Sequence, residues 1–224
     1  MVNNAVWEQL TKELGQNGVQ LIAVSKTKPV ADIQALYDLG QRHFGENYVQ
    51  ELADKHTQLP ADIKWHFIGH LQSNKVKYIA PFVHLIHTVD SLKLLTEINR
   101  HALKEGRVID VLLQMYIAQE ETKFGLDEKE LIQLMDHFEA QRQQLQNVRI
   151  CGLMGMATNT ENHNQVLAEF GRLHNFFLFL NDTYFFLRPH FTTCSIGMSA
   201  DYKLAIEAGS TMVRIGSMLF GARG

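Results

Sequence analysis

"QLIAVSKTKPVADIQALYDLG", residues 20–40, holds one complete unit of the chain. Residues 20–24 are a short apolar run of strand length. From Val30 the spacing changes. Val30, Ile33, Leu36 and Tyr37 fall on one helical face, and Gly40 sits where a helix C-cap belongs. Between strand and helix the chain presents Lys26 and Lys28, followed by Pro29. A buried strand that ends on lysines calls for a reason.

The same alternation recurs. Further apolar runs lie at 42–44, 64–68, 83–89, 109–115, 148–153, 191–195 and 212–215. Helical faces are formed by Leu92, Leu95, Ile98 and Leu103, and by Leu131, Leu134, Met135 and Phe138. Asp127 with Glu130 makes a capping pair for a helix from 128, Thr160 caps one from 161, Ser199 caps one from 200, and Gly209 is a second C-cap glycine. Nearly every one of the eight strands is followed by a helix, which predicts parallel strands. The expected fold is α/β, a (β/α)8 TIM barrel with an extra N-terminal helix over about 4–15. An open doubly wound sheet is the alternative, because strand order is not written in the pattern. Without a linker or low-complexity tract, residues 1–224 read as a single barrel domain.

Composition narrows the functional classes. A 46% hydrophobic chain of 224 residues can bury one large core. A net charge of −3 without basic blocks gives no support to a nucleic-acid partner. Cys151 and Cys194 sit in apolar contexts and read as buried free thiols. No CxxC spacing occurs, and His66, His70, His84 and His87 alternate along strands without a carboxylate cluster. They read as satisfied polar positions, so no metal is expected. The N-terminus lacks a signal-peptide pattern, and the most apolar window, 176–187, is too short for a membrane span and is interrupted by Asn181 and Asp182. The expectation is a cytoplasmic chain with no membrane partner, whose 176–187 window packs on the body or makes a subunit contact.

In such a barrel, sites gather at the C-terminal ends of the strands. Those ends deliver Lys26, then Glu46 and Asn47, His70 and Gln72, Lys123, and Met154 and Met156. The last two offer "SIGMS", Ser195 to Ser199, and "RIGS", Arg214 to Ser217. Glycine, hydroxyls and backbone N–H groups at adjacent strand ends suit a phosphate, although the same residues also mark ordinary turns. A lysine desolvated in the same mouth is a nucleophilic amine. An aldehyde that carries a phosphate fits both ends, and pyridoxal 5′-phosphate (PLP) is such a molecule. The plainer reading makes Lys26 a solvated loop lysine or the ion-pair partner of Glu46.

"AVSKTKP", "HFGENYVQE", "WHFIGHLQSNK" and "CSIGMSADYKLAIEAGSTMVRIGSMLFGAR" together resemble the pyridoxal-phosphate homeostasis protein family, across residues 20–223. The resemblance implies a barrel similar to the N-terminal domain of alanine racemase, with PLP held as a Schiff base (internal aldimine) on Lys26. It implies phosphate contacts from Ser195, Gly197, Met198, Ser199, Gly216 and Ser217. Arg214 would face the pyridine nitrogen, Asn47 and His70 would line the ring side, and Met154 would pack near the ring. Arginine cannot accept a proton, so the ring nitrogen would stay unprotonated and the ring would be a weaker electron sink. The implied role is a PLP carrier or buffer in vitamin B6 homeostasis, without established turnover or catalytic residues. It would be a monomer or weak homodimer that passes PLP to apo PLP enzymes.

Departures from the family pattern are Ser217 for a common threonine, Ile196 for a common methionine, an unusually aromatic "FFLFLNDTYFFLRPH", and no short basic tail after "FGAR". Lys123 matches a family lysine that, by the resemblance, offers a second amine for PLP. An alternative reading is a PLP-dependent amino-acid racemase or other weak PLP enzyme. Its second base would come from His70 or Tyr48, since the chain ends at Gly224 with no room for the racemases' second domain. A sugar-phosphate enzyme with a Schiff-base lysine is a third.

Overall fold

Eight parallel strands close into a barrel in chain order: β1 (Gln20–Val24), β2 (His43–Glu46), β3 (Lys64–Phe67), β4 (Leu85–Val89), β5 (Ile109–Gln114), β6 (Val148–Met154), β7 (Thr193–Met198) and β8 (Met212–Ile215). The computed structural model describes residues 2–119 and 124–221. Closure is made by β1 on β8, with Gln20 opposite Met212 and Ala23 opposite Ile215. That pairing rules out the open sheet. Around the barrel lie α1 (Asn4–Gln16), α2 (Val30–Asp38), α3 (Val49–His56), α4 (Val76–Ile79), α5 (Leu92–Lys104), α6 (Glu128–Ala140), α7 (His163–Leu180), α8 (Tyr202–Glu207) and α9 (Ser217–Phe220). The predicted N-terminal helix is α1.

Strand side chains alternate between two cores. Leu21, Trp65, Phe67, Ile86, Leu153, Cys194 and Val213 point outward into the layer under the helices. Ile22, Leu85, Leu112, Cys151, Met154 and Met212 pack together in the lumen. His66, His87, Gln114, Ser195 and Arg214 are polar residues buried among the strands in the same alternation. This lumen is unusually polar for a barrel of its size.

Four local expectations change. β7 runs to Met198 instead of stopping at 195, because its register against β8 shifts between Ser195 and Met198. Gly197 carries that irregularity at φ +98°, and a Cβ there would stand 2.5 Å from the Ala205 side chain. Helix α8 therefore begins only at Tyr202 after Asp201, and Ser199 is not its cap. Asn162, not Thr160, caps α7: its Oδ1 accepts from the Gln165 N–H at 3.2 Å. Leu103 is 63% exposed, because the buried stripe of α5 turns through Leu95, Ile98 and Ala102. The Asp127–Glu130 capping box is present, and Gly40 and Gly209 follow helix ends at φ +111° and +90°.

In the aromatic window Phe176, Phe177, Leu180 and Phe185 are buried, while Phe179, Phe186 and Leu187 face solvent. Among the described residues no helix is long and apolar enough to cross a membrane. Both cysteines are buried free thiols.

Candidate functional site

The turn after β1 answers the question that Lys26 poses. Thr27 adopts φ +63°, a left-handed conformation that a β-branched residue rarely takes, so the segment Ser25–Lys28 must be held in place. It is held from below. The Thr27 N–H donates to Glu51 Oε1 at 2.6 Å, and the Ser25 hydroxyl donates to Glu46 Oε1 at 2.6 Å. The Lys55 ammonium donates to Glu46 Oε1 at 2.7 Å, Glu51 Oε1 at 2.7 Å and the Ser25 carbonyl at 2.8 Å. Glu46 and Lys55 are both buried. Burial pushes the Glu46 carboxyl up, against the pull of the Lys55 charge, and its second oxygen has no partner. Glu46 thus pairs with Lys55 and supports the lysine turn from beneath. Neither Lys55 nor Glu51 was read as functional from sequence. Their i,i+4 spacing on the helix that follows β2 was the available signal.

Above this base, a cavity of about 300 Å³ opens at the C-terminal mouth. Lys26, Asn47, Met198, Ser199, Arg214, Gly216 and Ser217 are on its wall, seven of the residues singled out in the sequence, together with Met156. The two glycine–serine motifs are tied together: the Gly216 N–H donates to Ser199 Oγ at 3.3 Å. Gly216 lies close against β1, where a Cβ would meet the Val24 carbonyl at 3.1 Å. The Met198 N–H donates to Asp201 Oδ1 at 2.6 Å, so a carboxylate shares this edge of the mouth.

Arg214 closes the floor. It is 4% exposed. Its Nη1 donates to the Ser195 carbonyl and hydroxyl, both at 2.7 Å, and its Nη2 donates to the Gly155 carbonyl at 2.9 Å. Burial lowers the guanidinium pKa to about 10, which leaves it a cation at neutral pH. Asn47 adds a buried side-chain oxygen with no partner, on the wall of the same cavity.

The other expected residues lie nearby but not on this wall. Ser195 is fully buried beneath Arg214, and Gly197 shapes the β7 irregularity. Met154 packs in the lumen cluster, and Met156, two residues on, lies on the cavity wall. His70 lines an adjoining recess with Asn47, Tyr48, Gln72 and Lys75. Its ring stacks on Phe124 with centroids 4.5 Å apart, and its Nδ1 is 3.5 Å from Asp90. Lys123 lies outside the described residues.

A family model described as "Alanine racemase, N-terminal domain" matches residues 4–224. A protein of Aquifex aeolicus named pyridoxal phosphate homeostasis protein is 40% identical over 210 residues, which cover 93% of this chain and 89% of that one. The chain belongs to the pyridoxal phosphate homeostasis protein family. Two solved structures of PipY from Synechococcus elongatus PCC7942 are also similar, each 38% identical over 96% of this chain and 100% of that one. The structure without PLP gives a TM-score of 0.86, and the one with PLP bound gives 0.83. Membership in the pyridoxal phosphate homeostasis protein family accounts for the closed eight-strand barrel as well as for the motifs at its mouth.

Proposed function

We propose that this chain binds pyridoxal 5′-phosphate at the C-terminal mouth and serves as a PLP-holding protein in vitamin B6 homeostasis. The observation that carries this reading is the placement of the Lys26 amine on the same cavity wall as Ser199, Gly216, Ser217 and Arg214. The residues present fit the cofactor. Two serines and the Gly216 backbone suit a phosphate, an unpartnered Asn47 oxygen awaits a donor, and a buried cation forms the floor. Bound there, PLP supplies an aldehyde carbon and an electron-accepting ring.

Each residue has a distinct task. Lys26, on the cavity wall, would supply the amine that holds the aldehyde. Ser199, Gly216 and Ser217 hold the phosphate, with the Met198 edge beside them. Arg214 would face the ring nitrogen and, having no lone pair to accept its proton, would keep the ring a weak electron sink. Met156, on the wall, would pack near the ring, with Met154 in the lumen cluster below it. Ser195 and Gly197 act from beneath, by orienting Arg214 and shaping the β7 end. His70 and Asn47 flank the opening.

Holding the aldehyde away from stray amines, and releasing it to apo PLP enzymes, needs no further acid or base. A racemase needs a second base opposite the lysine. Of the two candidates, Tyr48 is 59% exposed and His70 is engaged with Phe124 and Asp90. The test is the visible absorbance spectrum of the protein before and after PLP is added, for wild type and Lys26→Ala. A band that forms in wild type and is missing in the variant is expected, and a wild type that stays colourless overturns the reading. With L-alanine deuterated at the α-carbon, exchange no faster than with free PLP is expected.

A further inference from the structure

The opposite end of the barrel carries a second, larger cavity of about 600 Å³, framed by the first residues of the strands. His43, His66 and His84 meet on its wall, each with a ring nitrogen within 4.8 Å of the others. Ring centroids are 5.1 Å apart for His43 and His66, 5.3 Å for His66 and His84, and 5.7 Å for His43 and His84. His43 is the member that strand-by-strand reading of the sequence left out.

Three features suit these imidazoles to a metal. First, the rings are neutral. Burial lowers the His43 pKa to about 4 and holds His66 and His84 below the usual histidine value. Second, the most buried ring is braced from behind. His66 Nδ1 is 2.9 Å from His87 Nε2, and His87 Nδ1 is 3.3 Å from the Ser195 hydroxyl, which already accepts from Arg214. In one of the two proton arrangements this column allows, His66 and His87 each donate from Nδ1. That leaves the His66 Nε2 lone pair facing His43 and His84, the second-shell arrangement that metal-bound histidines use. Third, the nearby charges are settled. Arg149 forks onto Asp110 at 2.6 and 2.8 Å, and Lys64 is exposed to solvent.

We propose that His43, His66 and His84 form a divalent transition-metal site, three imidazoles with a fourth position open to the cavity. A zinc ion at about 2.0–2.1 Å from each nitrogen needs them about 3.3 Å apart. The His43 Nδ1 to His66 Nε2 separation of 2.9 Å must therefore widen slightly, and the half-buried His43 and His84 rings must turn inward. An all-imidazole set selects zinc, copper, nickel or cobalt over magnesium and calcium. The open position would take water or a small anionic ligand from the cavity. The site lies apart from the PLP mouth, at the other end of the lumen.

The test is titration of chelator-treated, PLP-free full-length protein with Co(II), read by its visible ligand-field bands, and with Zn(II), read by competition against a chromophoric chelator. One equivalent is expected to bind, with a tetrahedral cobalt spectrum. His84→Ala and His43→Gln should each weaken binding at least tenfold, whereas His163→Ala, at the exposed start of α7, should leave it unchanged. Both cluster variants lie at the cavity rim, and thermal melts without metal check that they fold. No binding at 0.1 mM metal would overturn the proposal, as would binding of equal strength in folded His84→Ala and His43→Gln.

Discussion

Lys55→Met tests whether the lysine turn stands on a buried ion pair. The substitution keeps most of the side-chain volume and removes three hydrogen bonds, to Glu46, Glu51 and the Ser25 carbonyl. It strands a Glu46 carboxylate that is 0% exposed and retains only the Ser25 hydroxyl as a partner. Breaking one side of a buried pair costs about 3–5 kcal/mol, because the surviving charge is left unpaired. For a domain of this size that is a fall in Tm of about 6–20 °C. Adding Glu46→Gln removes the stranded charge and keeps an acceptor for Ser25. The double variant should regain more than half of the loss.

The pH dependence supplies a second reading of the same experiment. In Lys55→Met, burial acts on Glu46 without the opposing ammonium, so its folded pKa lies further above the unfolded value of about 4.3. The folded state then binds that proton more tightly than the unfolded chain. Stability is therefore fully present below the unfolded pKa and is lost as the pH rises through the folded pKa. Urea denaturation at pH 5 and pH 8 should show the larger deficit, relative to wild type, at pH 8. A Lys55→Met loss under 1 kcal/mol, or a double variant no more stable than the single, would refute the reasoning. PLP affinity should fall with the stability, since Thr27 relies on the same carboxylates for its left-handed turn.

Ser199→Ala and Ser217→Ala should each weaken PLP binding roughly tenfold, the worth of one hydrogen bond to a charged group; fluorescence titration with inorganic phosphate as competitor measures it. Gly197→Ala forces a Cβ into the Ala205 side chain at φ +98° and should cost about 2–3 kcal/mol in chemical denaturation, with PLP binding reduced as β7 shifts. Burial pushes the thiols of Cys151 and Cys194 up to about 12, so both should resist alkylation at pH 8 in the native protein and react within minutes in denaturant.

Legibility in the sequence followed local periodicity. The strands whose apolar runs were bounded by turn residues, such as 20–24 and 212–215, appear with those bounds. β7 extends beyond its apolar run through a register shift against β8, which no local pattern encodes. The cavity wall was legible wherever a motif sat at a strand end, as with Lys26 and Gly216. What escaped was contact between elements. Lys55 reaches Glu46 only because α3 folds back under β2, and Met156 lines the wall because it lies two residues beyond Met154, past the end of β6 toward the mouth. His43 looked like a strand start, and its meeting with His66 and His84 exists only once the barrel closes.

The polar lumen joins these observations into one argument. Barrels of this size are ordinarily packed with aliphatic layers, and a desolvated guanidinium works against stability by several kcal/mol unless fully bonded. Arg214 is bonded to Ser195 and Gly155, Ser195 rests on His87, and His87 rests on His66. Each polar residue in the column thus contributes a bond to the one above it. Exchanging Ser195 for an apolar residue would remove one of the three bonds of Arg214, and exchanging His87 would remove a partner from both Ser195 and His66. Stability must come from elsewhere, and it does: the outer layer between strands and helices holds Trp65, Phe67, Phe170 and the other large buried side chains. The barrel thus separates its two tasks by side-chain direction. Outward residues hold the fold, while inward residues hold a cation under the cofactor mouth and imidazoles at the other end.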